Sequence, residues 1–149
     1  MTTNIRRWIE TDTGHRVPNH KSKCSNIHGH RYRWEIELQG DVVTQKGVSD
    51  EGMLMDFGDI KRILTEHIHD VVDHAFLVYE GDTSIIEAFD VIGNQKLVVL
   101  PFIPTAENLA RWAYETVEPH IQSTYGNNIR IVAFHVRETP KSLASWSIV

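Results

Sequence analysis

The chain is poor in cysteine: it has one, Cys24, in 149 residues. A disulfide within the chain is excluded, and a reducing, cytoplasmic setting is the natural expectation. Long apolar runs are missing too. None approaches the roughly 18–20 residues that cross a bilayer, so no membrane partner is expected. Met1 to Arg7 is basic, but no apolar stretch follows it, so it is not expected to act as a secretory signal. Nor is there an excess of basic charge. The net charge is −5 with both signs mixed along the chain, which argues against a nucleic-acid partner. Repeats, low-complexity stretches and linkers are absent. What remains is ordinary for a globular protein, 41% hydrophobic and 23% charged, and long enough for one domain over residues 1–149 with its own core.

Periodicity predicts the elements. From Arg31 to Gly40, Tyr32, Trp34, Ile36 and Leu38 alternate with charged residues, the period of a strand with one buried face. Ile5 to Thr13 reads as an earlier strand. Asp56 to Val72 reads as a helix with Ile60, Ile63, Leu64, Ile68 and Val71 on one stripe, and Asp56 or Asp59 as its cap. Thr105 to Gln122 reads as a second helix, with Thr105 as N-cap and Glu107 in the first turn. Ile129 to Glu138 is a strand, and Ala144 to Val149 a short last one. Between the helices, residues 79–103 read as an irregular insertion, with Leu97 to Leu100 as an optional extra strand. The order ββααββ predicts an α+β fold, an antiparallel sheet with two helices on one face. Open sheet edges favour a homo-oligomer.

Nine histidines are many for this length, and their spacing is informative. His28 and His30 share the parity of Tyr32 and Trp34, so on an extended strand they project from one face about 7 Å apart. Gly29 between them leaves room for a neighbouring backbone or a substrate. Such a pair can converge on one metal ion, and a catalytic zinc with an open position needs a third ligand. His15, at the end of the preceding strand, is the candidate. Taken alone, the His-x-His spacing favours two solvated or hydrogen-bonded imidazoles over a metal site. His67 and His69 fall two apart on a helix and share no face. Cys24 alone reads as an inert thiol; beside a metal it would be a ligand or a base. Asp73-His74 reads either as a proton relay or as a histidine favoured by a helix C-terminus.

The segment Cys24-Ser25-Asn26-Ile27-His28-Gly29-His30 resembles the Cys-x3-His-Gly-His signature of the 6-carboxytetrahydropterin synthases, within the family that also holds the 6-pyruvoyl-tetrahydropterin synthases. The latter typically have a longer gap after the cysteine. His15-Arg16-Val17-Pro18, the passage from Gly52 to Lys61, Val72-Asp73-His74-Ala75-Phe76-Leu77, Pro104 to Ala110, and Val136-Arg137-Glu138-Thr139 resemble the family's other motifs, in order. The chain departs from the pattern at Thr11 and Thr13, where an aromatic residue and an alanine are usual.

The resemblance implies the tunnelling fold, small ββααββ subunits forming a barrel, commonly as hexamers, with active sites between subunits. It implies zinc on His15, His28 and His30, Cys24 as general base, and Asp73 with His74 as proton relay. It also implies Glu138 as the anchor of the pterin ring and Thr105 as a contributor to pterin binding. The implied reaction converts 7,8-dihydroneopterin triphosphate to 6-carboxytetrahydropterin with release of acetaldehyde and triphosphate, in 7-deazaguanine (queuosine precursor) synthesis. Two alternatives stand beside it: triphosphate elimination by a 6-pyruvoyl-tetrahydropterin synthase, and a non-catalytic pterin- or zinc-binding protein on the same fold.

Overall fold

The two longest strands follow from alternation. In the computed structural model, which describes residues 2–148, β1 spans Thr3–His15 and β2 His28–Gly40. Met1 and Val149, the latter the end of the expected last strand, lie outside the described residues. β1 and β2 form an antiparallel hairpin whose register sets Ile9 opposite Trp34, Thr11 opposite Tyr32, Thr13 opposite His30 and His15 opposite His28. All of these project from one face. That face is the core: Tyr32, Trp34, Ile36 and Leu38 are fully buried there. The other face carries most of the charged residues of both strands, among them Arg6, Glu10, Asp12 and Arg31; Arg7, opposite Ile36, has the parity of the core face.

Two helical segments close over the apolar face. α1 (Phe57–Leu64) starts at Asp56, whose carboxylate accepts the Gly58 amide at 2.6 Å. It runs through a wider π-helical turn, Thr65–His69, into the short α2 (Asp70–Val72). The extra residue of that turn carries Val72 inward rather than Val71, which stays exposed. β3 (Phe76–Tyr79), α3 (Thr83–Ile92) and β4 (Leu97–Leu100) follow. α4 (Ala106–Tyr125) packs Leu109, Ala110, Ala113, Val117 and Ile121 into the same core as α1. β5 (Ile129–Thr139) and β6 (Ser142–Ser147) end the chain. Among the described residues, no helix is long and apolar enough to cross a membrane.

The sheet order is β4-β3-β1-β2-β5-β6. The antiparallel expectation holds for β1, β2, β5 and β6. The sheet is nonetheless mixed, because β3 runs parallel to both β1 and β4. The stretch 79–103 is therefore not irregular. It completes a β3–α3–β4 crossover, the connection that parallel strands require. Its strands have four residues each, too short for a period to register. α3 is rich in β-branched residues and shows no clean stripe, because Val91 and Ile92 are exposed and only Ile85 is buried. α3 lies across the sheet from α1 and α4: Leu77 joins the main core, whereas Phe76 and Val78 pack with Ile85, Ile86 and Phe89 in a separate cluster.

One irregularity places a functional group. β5 carries a bulge opposite Glu37 and Leu38. Before it, Ile129 and Ile131 face the core; after it, Phe134 and Val136 do. The parity switches from odd to even, and Glu138 follows the even residues inward.

Candidate active site

The hairpin register brings His15, His28 and His30 together at one end of the core face. Their ring centroids lie 4.6 to 5.2 Å apart, and one nitrogen from each falls within 4.8 Å of the other two. Gly29 makes this packing feasible, since a Cβ there would stand 3.1 Å from the Thr13 carbonyl oxygen. Two rings are oriented from behind. His15 Nδ1 donates to the Pro104 carbonyl at 2.7 Å, and His28 Nδ1 to the Asn26 carbonyl at 2.6 Å. Those bonds fix the tautomer and turn each Nε2 toward the centre. Nε2 of His15 and of His30 are both buried without a hydrogen-bond partner. Orphaned buried acceptors are costly, and three converging imidazoles fit a tetrahedral metal ion with one open position. Two of the rings are disfavoured from taking up a proton. Burial pushes the His15 pKa down to about 4 against the pull of the Pro104 bond, with His28 and His30 adding to the drop. Burial also lowers that of His30, again with help from His28.

Glu138 faces the same centre. Its carboxylate oxygens lie 3.8 Å from His15 Nε2 and 3.9 Å from His30 Nε2, too far to satisfy either nitrogen. Burial raises its pKa, and the charge of Glu107 raises it further, against His28 and the Tyr32 hydroxyl. Tyr32 donates to Glu138 Oε1 at 3.5 Å and is held protonated by burial first and by Glu138 second. Thr105 caps α4 by accepting the Asn108 amide at 3.2 Å, directly after the Pro104 carbonyl that orients His15. Cys24 is a free thiol on a short 3-10 turn, Lys23–Ser25, in the loop between His15 and His28. Its carbonyl accepts the Val17 amide at 2.8 Å, which ties the turn to the end of β1.

Asp73 and His74 lie elsewhere. They follow α2 and bond to the backbone of Asp12 at the edge of β1, and their side chains share a cavity with that of Asp12, which has the opposite parity to Thr13 and His15 and so stands on the charged face. Asp73 Oδ1 accepts the Asp12 amide at 3.0 Å, and His74 Nδ1 donates to Asp73 Oδ2 at 2.7 Å. Burial works against the Asp73 carboxylate, but the Asp12 amide and His74 outweigh it and hold its pKa below the usual range. His74 has φ of +56° and its side chain is 75% exposed, so its Nε2 is presented outward. Glu10, Arg31 and His69 complete a cavity of about 230 Å³ around this pair. Within one chain, therefore, the histidine triad and the Asp73–His74 pair occupy opposite faces of the sheet.

With that geometry in view, the relatives fall into place. A sequence profile of the family described as 6-pyruvoyl tetrahydropterin synthase matches residues 4–147. The chain belongs to that family. A Rickettsia bellii protein named 6-carboxy-5,6,7,8-tetrahydropterin synthase is 34% identical over 84% of this chain and 89% of its own. A Haemophilus influenzae protein of the same name is 30% identical over 95% and 96%. Among solved structures, an uncharacterized protein from Wolinella succinogenes shares the fold with a TM-score of 0.81 at 21% identity, covering 99% of this chain and 98% of that one. The Caenorhabditis elegans 6-pyruvoyl tetrahydropterin synthase shares it with a TM-score of 0.65 at 20% identity, covering 100% and 97%. These two likenesses support the tunnelling fold.

Four residues at or beside these groups escaped the sequence reading. Glu107 reads there only as a helix-start charge, yet its charge reaches Glu138. Tyr32 shares the parity of His28 and His30 but reads only as core. Arg16, next to His15, holds the buried Asp82 through two bonds of 2.7 and 2.6 Å and so pins the end of β1 to the start of α3. His69, read as a bystander, lies with its Nε2 3.7 Å from Asp73 Oδ2.

Proposed function

We propose that this chain is a zinc-dependent 6-carboxy-5,6,7,8-tetrahydropterin synthase. It takes 7,8-dihydroneopterin triphosphate and water to 6-carboxytetrahydropterin, acetaldehyde and triphosphate. The carrying observation is the triad of His15, His28 and His30, with two buried Nε2 atoms unpartnered and the Glu138 carboxylate beside them. The names of the relatives and the three-residue gap between Cys24 and His28 favour the carboxy product.

Zinc, when bound, supplies a redox-inert Lewis acid for the hydroxyls of the substrate side chain. The protein's own groups do the rest. Glu138 accepts hydrogen bonds from the ring N3–H and 2-amino groups of the pterin, and Thr105 helps to frame the ring at the start of α4. Cys24 takes a proton from the side-chain carbon, and His74 moves protons under the orientation of Asp73. Because Asp73 and His74 stand across the sheet from the triad, the complete site needs them from a second copy. A homo-oligomer, a hexamer in the tunnelling-fold pattern, supplies that juxtaposition and covers the sheet edges. The single cysteine and the phosphorylated substrate accord with a cytoplasmic enzyme that feeds 7-deazaguanine synthesis.

The test is incubation with 7,8-dihydroneopterin triphosphate, with the pterin identified by mass and the aldehyde trapped. The expected result is a pterin with a one-carbon acid side chain and an equal amount of acetaldehyde. A pterin that keeps its three-carbon side chain, with no aldehyde, would replace this reading by the pyruvoyl type. Pterin binding without turnover would leave a binding protein.

A further inference from the structure

Two buried hydroxyls lie where the family pattern has an aromatic residue and an alanine. Thr11 and Thr13 are 2% and 4% exposed, on the core face of β1. Thr13 Oγ1 donates to the Val72 carbonyl at 3.0 Å. A hydroxyl has one proton, so Thr13 can only accept at its 2.8 Å contact with Thr11 Oγ1. The Thr11 proton is thereby committed to Thr13, and Thr11 accepts the indole N–H of Trp34 at 2.9 Å. The result is a chain of three bonds with a single direction. It starts at a group that can only donate and ends at a carbonyl that can only accept. Each bond polarises the next in this buried setting.

The chain ends at a significant point. Val72 is the last residue of α2, and Asp73 and His74 follow it. The Val72 carbonyl also accepts the Ala75 amide at 3.1 Å, so the turn that carries the pair closes on the anchored oxygen. That turn is strained: His74 has φ of +56°, a conformation a side-chain-bearing residue keeps only where its surroundings enforce it. The enforcement is visible. Between the two threonines, Asp12 gives its amide to Asp73 Oδ1, and its carbonyl accepts the His74 amide at 2.7 Å. From β4's approach, Lys96 Nζ donates to the carbonyls of Asp70 and Asp73 at 2.9 and 2.8 Å. Residues 11–13 thus grip residues 72–74 twice, through the core-face hydroxyl of Thr13 and the edge backbone of Asp12.

We propose that Thr11 and Thr13 are positioning residues: their hydroxyl chain sets the pose of the Asp73–His74 pair. The link to catalysis rests on the proposed role of His74 in moving protons. Thr13→Val keeps the shape and removes the link; Thr13→Ser keeps the link. In the full-length protein, Thr13→Val is expected to retain wild-type zinc content and oligomer size. Its His74 amide should exchange hydrogen at least about tenfold faster, as the strained turn opens more often. Its kcat should fall by about 10–100-fold, the scale of a misplaced catalytic group, with KM nearly unchanged. Thr13→Ser should restore both readings. Thr11→Ala, one link farther from the turn, should shift both in the same direction by less, and it carries the test if Thr13→Val does not fold. Unchanged His74 exchange in the folded variants overturns the proposal, as does equal impairment of Thr13→Val and Thr13→Ser. Faster exchange with normal kcat overturns the catalytic link. A wild-type protein that leaves the triphosphate untouched defeats the functional reading alone, and the exchange comparison then decides the anchoring by itself.

Discussion

Replacing His28 by alanine is expected to abolish stoichiometric zinc binding and, with it, turnover. The triad is the only cluster of three metal-ligating side chains among the described residues, and His28 is the direct cross-strand partner of His15. Without it, two imidazoles remain on neighbouring strands, with no group placed to take the third position. Glu138 lies against His15 and His30, but at 3.8 and 3.9 Å it would have to move to serve. Losing an outer-shell partner typically weakens metal binding by about 10–100-fold, so loss of a direct ligand should exceed that range. Metal analysis after dialysis against a weak chelator gives the reading. Near one zinc per subunit in the wild type and near none in His28→Ala is the expected pair of values. Full occupancy in the variant would contradict the triad.

Cys24→Ala is expected to behave in the opposite way, keeping its zinc and its affinity for pterin while losing most turnover. Three histidines suffice as the protein ligands of an open zinc site, and the triad offers three. A thiolate held permanently on the metal would occupy the position that substrate oxygens need. Cys24 sits instead on the loop between the ligand-bearing strands, tied to β1 through the Val17 amide. Removing a general base typically costs about 10²–10⁴-fold in rate, so residual activity should be measurable. Steady-state kinetics beside metal analysis separate the outcomes. Loss of zinc would make Cys24 a ligand. Near-normal turnover with zinc retained would make it a bystander and move the base role to His74.

Much of this site was legible because strand parity is a strict rule. The alternation from Tyr32 to Leu38, extended back two and four residues, puts His30 and His28 on the buried face, and the hairpin brings His15 to them. Glu138 was legible only through the family motif. By unbroken alternation from Ile129 it would point outward, and the bulge in β5 turns it in; the switch from Ile129 and Ile131 to Phe134 and Val136 is the trace of that bulge in the sequence. The β3–α3–β4 unit was not legible. Its strands are short, its helix is held by a few contacts rather than by propensity, and parallel pairing to β1 depends on a distant segment. The separation of Asp73–His74 from the triad was also hidden. Which face the turn after α2 reaches depends on how residues 72–75 meet Asp12 and Thr13, and local sequence does not encode that meeting.

In the proposed reaction, each active site is assembled from two copies, with the triad and Cys24 from one and the Asp73–His74 pair from another. Mixing tests this most directly. Cys24→Ala and His74→Ala are each expected to be nearly inactive alone. Unfolded and refolded together in equal amounts, they form hybrids in which about a quarter of the sites join an intact Cys24 to an intact His74 from the neighbouring copy. Activity near that fraction of wild type is the predicted result. A mixture no more active than its separate components, in oligomers proven to contain both variants, would contradict the shared site.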